Sequence, residues 1–279
     1  MTATSRRTVL AALATAAVSG SVTAGQARAA VAAEDHYASS TDLYTQLAGR
    51  EGLDFGRRYR RHERVDSSLA SGFPYVRTVV MAPHGGGIET GTSELCLAIA
   101  GYHPATLAPL PGGGALHDYW MFEGLLDSGN GDLHITSSHI DDRVALSLAA
   151  GSLNVVSLHG CRADQTGAPA SRPEAVVVGG RNAAFKQYLH DALRAAGFQT
   201  IDGSAVPDLA GVDPENLCNR TLLGKGGQLE LTTELRRSMF GTFTRAGRAG
   251  STNEIFDAFT TAVRAAVARL EAGADQVVL

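Results

Sequence analysis

Val76-Arg77-Thr78-Val79-Val80-Met81, then Ala82-Pro83-His84-Gly85-Gly86-Gly87-Ile88-Glu89-Thr90-Gly91, then Thr92-Ser93-Glu94-Leu95-Cys96-Leu97-Ala98-Ile99-Ala100 follow one another in the chain. The first run is apolar and β-branched, as a buried strand requires. The second is a glycine-rich turn, and the third is a helix opened by Thr or Ser and stopped by Gly101. The unit returns. Val155-Val156-Ser157-Leu158 is a short strand running into His159-Gly160, and Ala175-Val176-Val177-Val178 is another, ending at Gly179-Gly180 ahead of an amphipathic helix from Asn182 to Ala196. Gln228-Leu229-Glu230-Leu231 reads as one more strand, and Asn253 to Ala272 as a long helix with Ile255, Phe256, Phe259, Val263, Val267 and Leu270 on one side. Strands alternating with helices predict a single α/β domain: a mixed, largely parallel sheet with helices on both faces.

Outside that frame, the first residues read as an address. Ser5-Arg6-Arg7-Thr8-Val9-Leu10 is a twin-arginine arrangement, a short Ala-rich apolar stretch follows, and Ala27-Arg28-Ala29 offers a small-x-small cleavage pattern. Residues 1–29 are therefore expected to be a signal peptide, 30–75 an N-terminal helix and loop extension, and 76–279 the α/β domain. The expected location is secreted, and no other apolar run is long enough to hold the mature chain in a membrane. With 279 residues, 44% of them hydrophobic, the chain can bury a full core. A formal net charge of −4 provides no basic surface for nucleic acid. Cys96 reads as core, which leaves Cys161 to Cys218 as the one disulfide to consider.

The chemistry gathers where strands end. In an α/β sheet, ligands collect at the carboxyl ends of the strands, and His84 sits there with three glycines behind it. If the glycine turn folds back, Glu89 returns to the same point and offers a carboxylate beside the imidazole. His159 ends its own strand and would emerge on the same edge. Two histidines and one carboxylate leave a fourth position open, the count of a catalytic zinc. Glu230 faces the opposite way from Leu229 and Leu231 and is placed to act as a base. Glu94 is a weaker candidate, as a support for a ligand histidine. The polar run His134, His139, Asp141, Asp142 and Arg143 reads either as a rival metal site or substrate wall, or as ordinary strand and helix caps. His103, His117 and His190 read as surface or satisfied core histidines. No GxSxG, Walker A or HExxH motif is present.

These segments together resemble the poly-γ-glutamate hydrolase family, whose fold is related to zinc carboxypeptidases. The resemblance is carried by Ala82-Pro83-His84-Gly85-Gly86-Gly87-Ile88-Glu89 with Gly91-Thr92-Ser93-Glu94, by Ser157-Leu158-His159-Gly160, by Val178-Gly179-Gly180-Arg181, by Asn216-Leu217-Cys218-Asn219-Arg220 and by Gly227-Gln228-Leu229-Glu230-Leu231. It implies that His84, Glu89 and His159 bind Zn2+ and that Glu230 is the general base and proton shuttle. The substrate is then an anionic polymer or peptide joined by γ-glutamyl amides. A carboxylate on every unit calls for fixed cations, so Arg181, Arg220 and the neighbouring Asn219 are the expected substrate contacts. The same metal chemistry on a cell-wall peptide or an N-acyl amino acid, and a non-catalytic binding protein on the same fold, are the alternatives.

Overall fold

The computed structural model describes residues 35–62, 78–112, 114–274 and 276, all within one compact unit that begins at Ala33. The signal-peptide reading of residues 1–29, the stretch 63–75 and the first two residues of the Val76 strand lie outside the described residues. Helix α1 (Ser40–Gln46) and strand β1 (Phe55–Arg60) precede the central unit, β2 (Thr78–Gly86) and α2 (Thr92–Ala100). Strand β3 (Asp118–Gly124), helix α3 (Arg143–Ala150), strand β4 (Asn154–Cys161) and strand β5 (Val176–Gly179) come next. Helix α4 (Ala183–Ala195), strand β6 (Thr200–Asp202), strand β7 (Gly227–Thr232), helix α5 (Thr233–Ser238) and helix α6 (Glu254–Glu271) complete the order.

The seven strands form one sheet in the order β1-β3-β2-β4-β7-β5-β6. The central strands β3, β2, β4 and β7 run parallel, whereas β1 is antiparallel to β3 and β5 is antiparallel to β7. Alternation along the strands sorts the core into two layers. Val80, Ala82, Val156, Leu158, Leu229 and Leu231 pack against α2, α4 and α6, while Val79, Met81, Trp120, Phe122 and Val155 pack against α1 and α3. Both faces are covered, as the sequence predicts. The extension read as helix and loop also supplies the edge strand β1. Its alternation Phe55-Gly56-Arg57-Arg58-Tyr59-Arg60 buries only Phe55, so it carries no core signature.

Cys96, Cys161 and Cys218 are buried free thiols, so the one pairing to consider, Cys161 with Cys218, is not formed. Gly226 sits against the carbonyls of both Cys218 and Val155, near the start of β4. Cys161 ends that strand, roughly 20 Å away at about 3.3 Å per residue, and a disulfide needs its Cα atoms within about 7 Å.

Candidate metal centre

His84 leaves the sheet at an irregularity: the β2–β3 register shifts between Ala82 and Gly85, around a proline that has no N–H to give the ladder. The chain then turns sharply back, with the Glu89 N–H donating to the His84 carbonyl at 2.8 Å and the Gly87 N–H to the Gly124 carbonyl at 2.9 Å. Gly86 makes the turn possible, since its φ is +65° and any Cβ there would strike the Gly124 backbone. Glu89 is thereby returned to His84, with Oε1 2.9 Å from Nδ1.

His159 comes from β4, the next strand, and its Nδ1 lies 3.1 Å from Nδ1 of His84 and 3.7 Å from Oε2 of Glu89. One ligand atom from each of the three residues lies within 4.8 Å of the others. Both rings are tied at their far nitrogens. His84 Nε2 donates to the Ile135 carbonyl at 2.8 Å, and His159 Nε2 pairs with the Ser157 hydroxyl at 2.9 Å and lies 3.3 Å from that of Ser137. A carbonyl only accepts, so His84 carries a proton on Nε2 and turns Nδ1 toward Glu89 and His159. Two imidazole nitrogens and a carboxylate then converge on one point. Such a set fits a cation, and 3.1 Å is close to the ligand–ligand edge of a tetrahedral zinc site, about 3.3 Å for Zn–N bonds near 2.05 Å. The far-side bonds also match the way metal-binding histidines are oriented.

The electrostatics follow the burial. Desolvation alone would raise Glu89, but the imidazoles of His84, His159 and His134 hold its carboxyl well below the usual range. Burial works against a charge on His84, yet Glu89 outweighs it and raises this ring. Burial, helped by His84 and His134, pushes His159 down to about 3. Glu230 stands opposite His159 in the β4–β7 register. Burial first, and the charge of Glu89 second, raise it well above an ordinary carboxyl, while Arg236 and a 2.9 Å bond from Gln228 Nε2 oppose the rise.

Several neighbours carry no motif of their own. Arg236 is 5% exposed and spends its guanidinium on the Leu231 carbonyl (3.1 Å), the Thr90 carbonyl (2.7 Å) and the Thr233 hydroxyl (3.1 Å). It therefore ties the residue after Glu89 to the residue after Glu230. His134 is brought to the site from the polar run: its ring lies 4.0 Å from that of His84, centroid to centroid, and its Nε2 is 3.9 Å from Glu89 Oε1. The rest of that run is structural. Asp142 caps α3, and Asp141 accepts from Ser39 and Thr41. Glu94 supports no ligand histidine; it pairs with the buried Arg248 at 3.1 Å, which in turn donates to the Gly86 carbonyl.

Topology places the expected substrate contacts away from Glu230. Because β5 is antiparallel to β7, its carboxyl end lies beside the start of β7, with Val177 opposite Glu230 and Gly179 opposite Gln228. Arg181, four residues past Val177, is therefore about 13 Å from Glu230 along the sheet, toward the opposite edge. Arg220 is on that far edge too, since Leu222 bonds to Ser152 at the approach to β4, and its guanidinium pairs with Glu215 at 2.6 Å. Asn219 is fully committed to backbone: it donates to the Gly211 and Asp213 carbonyls and accepts from the Gly226 and Arg181 N–H groups.

Comparison with known proteins identifies the family of the chain. Over 180 residues the chain is 37% identical to the SPbeta prophage-derived protein YoqZ of Bacillus subtilis (strain 168), a match covering 64% of this chain and 58% of that one. It is 35% identical over 182 residues to YndL of the same organism, covering 65% of this chain and 64% of YndL. The chain thus matches less than two thirds of the length of either relative. Among solved structures, a bacteriophage poly-gamma-glutamate hydrolase superposes with a TM-score of 0.67 at 27% identity, covering 85% of this chain and 98% of that one. Zinc-free YndL superposes with a TM-score of 0.68 at 29% identity, covering 85% and 99%. The poly-gamma-glutamate hydrolase profile matches residues 60–262, a span that takes in every strand from β2 to β7 and all four residues gathered at the centre. On that match the chain belongs to the poly-gamma-glutamate hydrolase family.

Proposed function

We propose that this protein is a zinc-dependent amidohydrolase that cleaves γ-glutamyl amide bonds, with poly-γ-glutamate as its substrate, and that it acts outside the cell after export on its twin-arginine signal. The observation that carries the reading is the convergence of His84, Glu89 and His159 on one point beside Glu230, within a chain of this family. His84, Glu89 and His159 would hold the zinc, which when bound supplies a Lewis acid for water and for the scissile carbonyl. Glu230 accepts a proton from the attacking water as the new C–O bond forms. It returns that proton to the departing amine as the C–N bond breaks, leaving a γ-carboxyl on one product and a free amine on the other. A carboxyl raised by burial suits this double duty, because it holds a proton more firmly than an exposed one until the amine leaves. Gln228 holds its Oε1, and Arg236 anchors the strand end from behind.

With Arg181 and Arg220 on the far edge, the cation for a substrate carboxylate comes from the edge that holds the metal ligands. Arg162 leaves β4 just past His159, with its side chain 60% exposed and its guanidinium paired, among the described residues, with Asp164 two residues on. Glu230→Gln is expected to retain zinc at the wild-type stoichiometry and to lose about 10²–10⁴-fold in turnover of poly-γ-glutamate. Arg162→Glu is expected to raise KM for the polymer roughly tenfold, the value of a lost charge-assisted bond, while Arg181→Glu leaves it unchanged. Metal analysis and a panel of γ-linked glutamates, α-linked glutamates and muropeptides read all of these. Wild-type turnover in Glu230→Gln, or activity confined to the muropeptides, overturns the reading.

A further inference from the structure

Asp35 lies before the first residue of the family match, yet its carboxylate reaches the metal centre from behind. Its side chain is 7% exposed. Oδ1 pairs with Nδ1 of His134 at 2.9 Å, and Oδ2 accepts from the Thr136 N–H at 2.7 Å and lies 3.2 Å from Nδ1 of His139. Residues 134 and 136 flank Ile135, whose carbonyl accepts the Nε2–H of His84. One carboxylate thus holds the backbone N–H just after the acceptor that orients a metal ligand and the side chain just before it, the imidazole packed 4.0 Å from that ligand's ring. A carbonyl in a stretch without regular secondary structure has no ladder to hold it. Without such a pin, the acceptor of His84 would be free to drift.

We propose that Asp35 is a positioning residue for the zinc site: through the segment 134–136 it sets the ring of His84, so the N-terminal segment completes a metal centre whose ligands all lie in the family core. The proposal rests on reading His84 as a zinc ligand. The neighbouring contacts of the same segment provide an internal control, because Tyr44 on α1 docks through its hydroxyl to Asp142, outside residues 134–136.

The experiment is zinc affinity of the full chain by competition with a chromophoric chelator, alongside imidazole NMR of the metal-free protein. Removing a group that orients a metal ligand through its hydrogen bond typically weakens affinity 10–100-fold. Asp35→Ala is expected to fall in that range and to lose the exchange-protected Nε2–H signal of His84 in the absence of metal. Asp35→Asn, which keeps one acceptor oxygen, falls between it and the wild type, and Tyr44→Phe keeps the wild-type affinity. Wild-type affinity in Asp35→Ala, an unchanged Nε2–H signal, or a loss in Tyr44→Phe as large as that in Asp35→Ala overturns the proposal. A wild-type chain that binds no zinc refutes the metal reading instead, and the NMR arm then still decides whether Asp35 sets the His84 ring.

Discussion

Gly160 shows how far a single residue reaches here. It follows His159, its N–H donates to Glu89 Oε2 at 2.8 Å, and a Cβ in its place would collide with the guanidinium of Arg236. Space, rather than backbone conformation, is what demands glycine. In Gly160→Ala the guanidinium must shift off the Thr90 and Leu231 carbonyls, leaving a buried cation and two buried acceptors poorly matched. The expected cost is about 1–3 kcal/mol, the usual range for overpacking a filled core, read as a lower urea midpoint at unchanged m-value. His84, Glu89, His159 and Glu230 were legible in the sequence because each ends a strand or a turn that the pattern marks. Ser157, Asp35 and Arg236 were not. A serine inside a strand, an aspartate in a loop and an arginine in a short polar helix each have an ordinary reading, and only their position beside the ligands gives them a role.

At the scale of elements, the site is made by three parallel neighbours, β2, β4 and β7, whose carboxyl ends present His84, His159 and Glu230 in turn. The loop that backs them runs from β3 to α3, and α3 is where it is fastened. Asp142 accepts from the N–H groups of Val144 and Ala145 at 2.9 Å each, and its other oxygen holds the Tyr44 hydroxyl and the Arg57 guanidinium. One side chain therefore joins α1, β1 and α3. Asp142→Ala is expected to cost about 2–3 kcal/mol, from the lost cap together with a charge-assisted bond. Asp142→Asn should recover the capping share, since an amide oxygen can still accept; chemical denaturation of the two variants checks both. The β5 strand shows where element-level reading fails. Its apolar run and glycine stop were visible, but strand direction is not written in a run of valines. Arg181 was expected on the site's edge for that reason, and the antiparallel pairing with β7 moved it away.

For the whole molecule, acid is the condition that should test the core. His117 is buried at the turn into β3, and desolvation, with Arg264 and His62 adding to it, lowers its pKa to about 4 despite Asp118 nearby. The unfolded chain takes that proton near pH 6.5, whereas the folded protein resists it until about pH 4. Stability tied to this group is therefore complete above pH 6.5 and drains away between 6.5 and 4, by up to roughly 3 kcal/mol. His117→Gln should flatten that part of the stability–pH curve while leaving the neutral-pH arm in place, and urea midpoints between pH 7 and pH 4.5 would show it. The sequence left His117 as a surface or a satisfied core histidine; it is buried, with Nδ1 3.7 Å from Glu271 Oε1.

By itself the sequence determined the alternation of strands and helices, the covered sheet, the turn that folds Glu89 back onto His84, and the four residues that gather at the strand ends. Periodicity and glycine placement are local properties, and they act over the few residues that a strand or turn contains. Tertiary structure alone decided which edge each strand end reaches, which thiols stay apart, and which distant groups stand behind the ligands. Those outcomes depend on strand order and direction. They are set by how the whole core packs, and no stretch of the chain carries them.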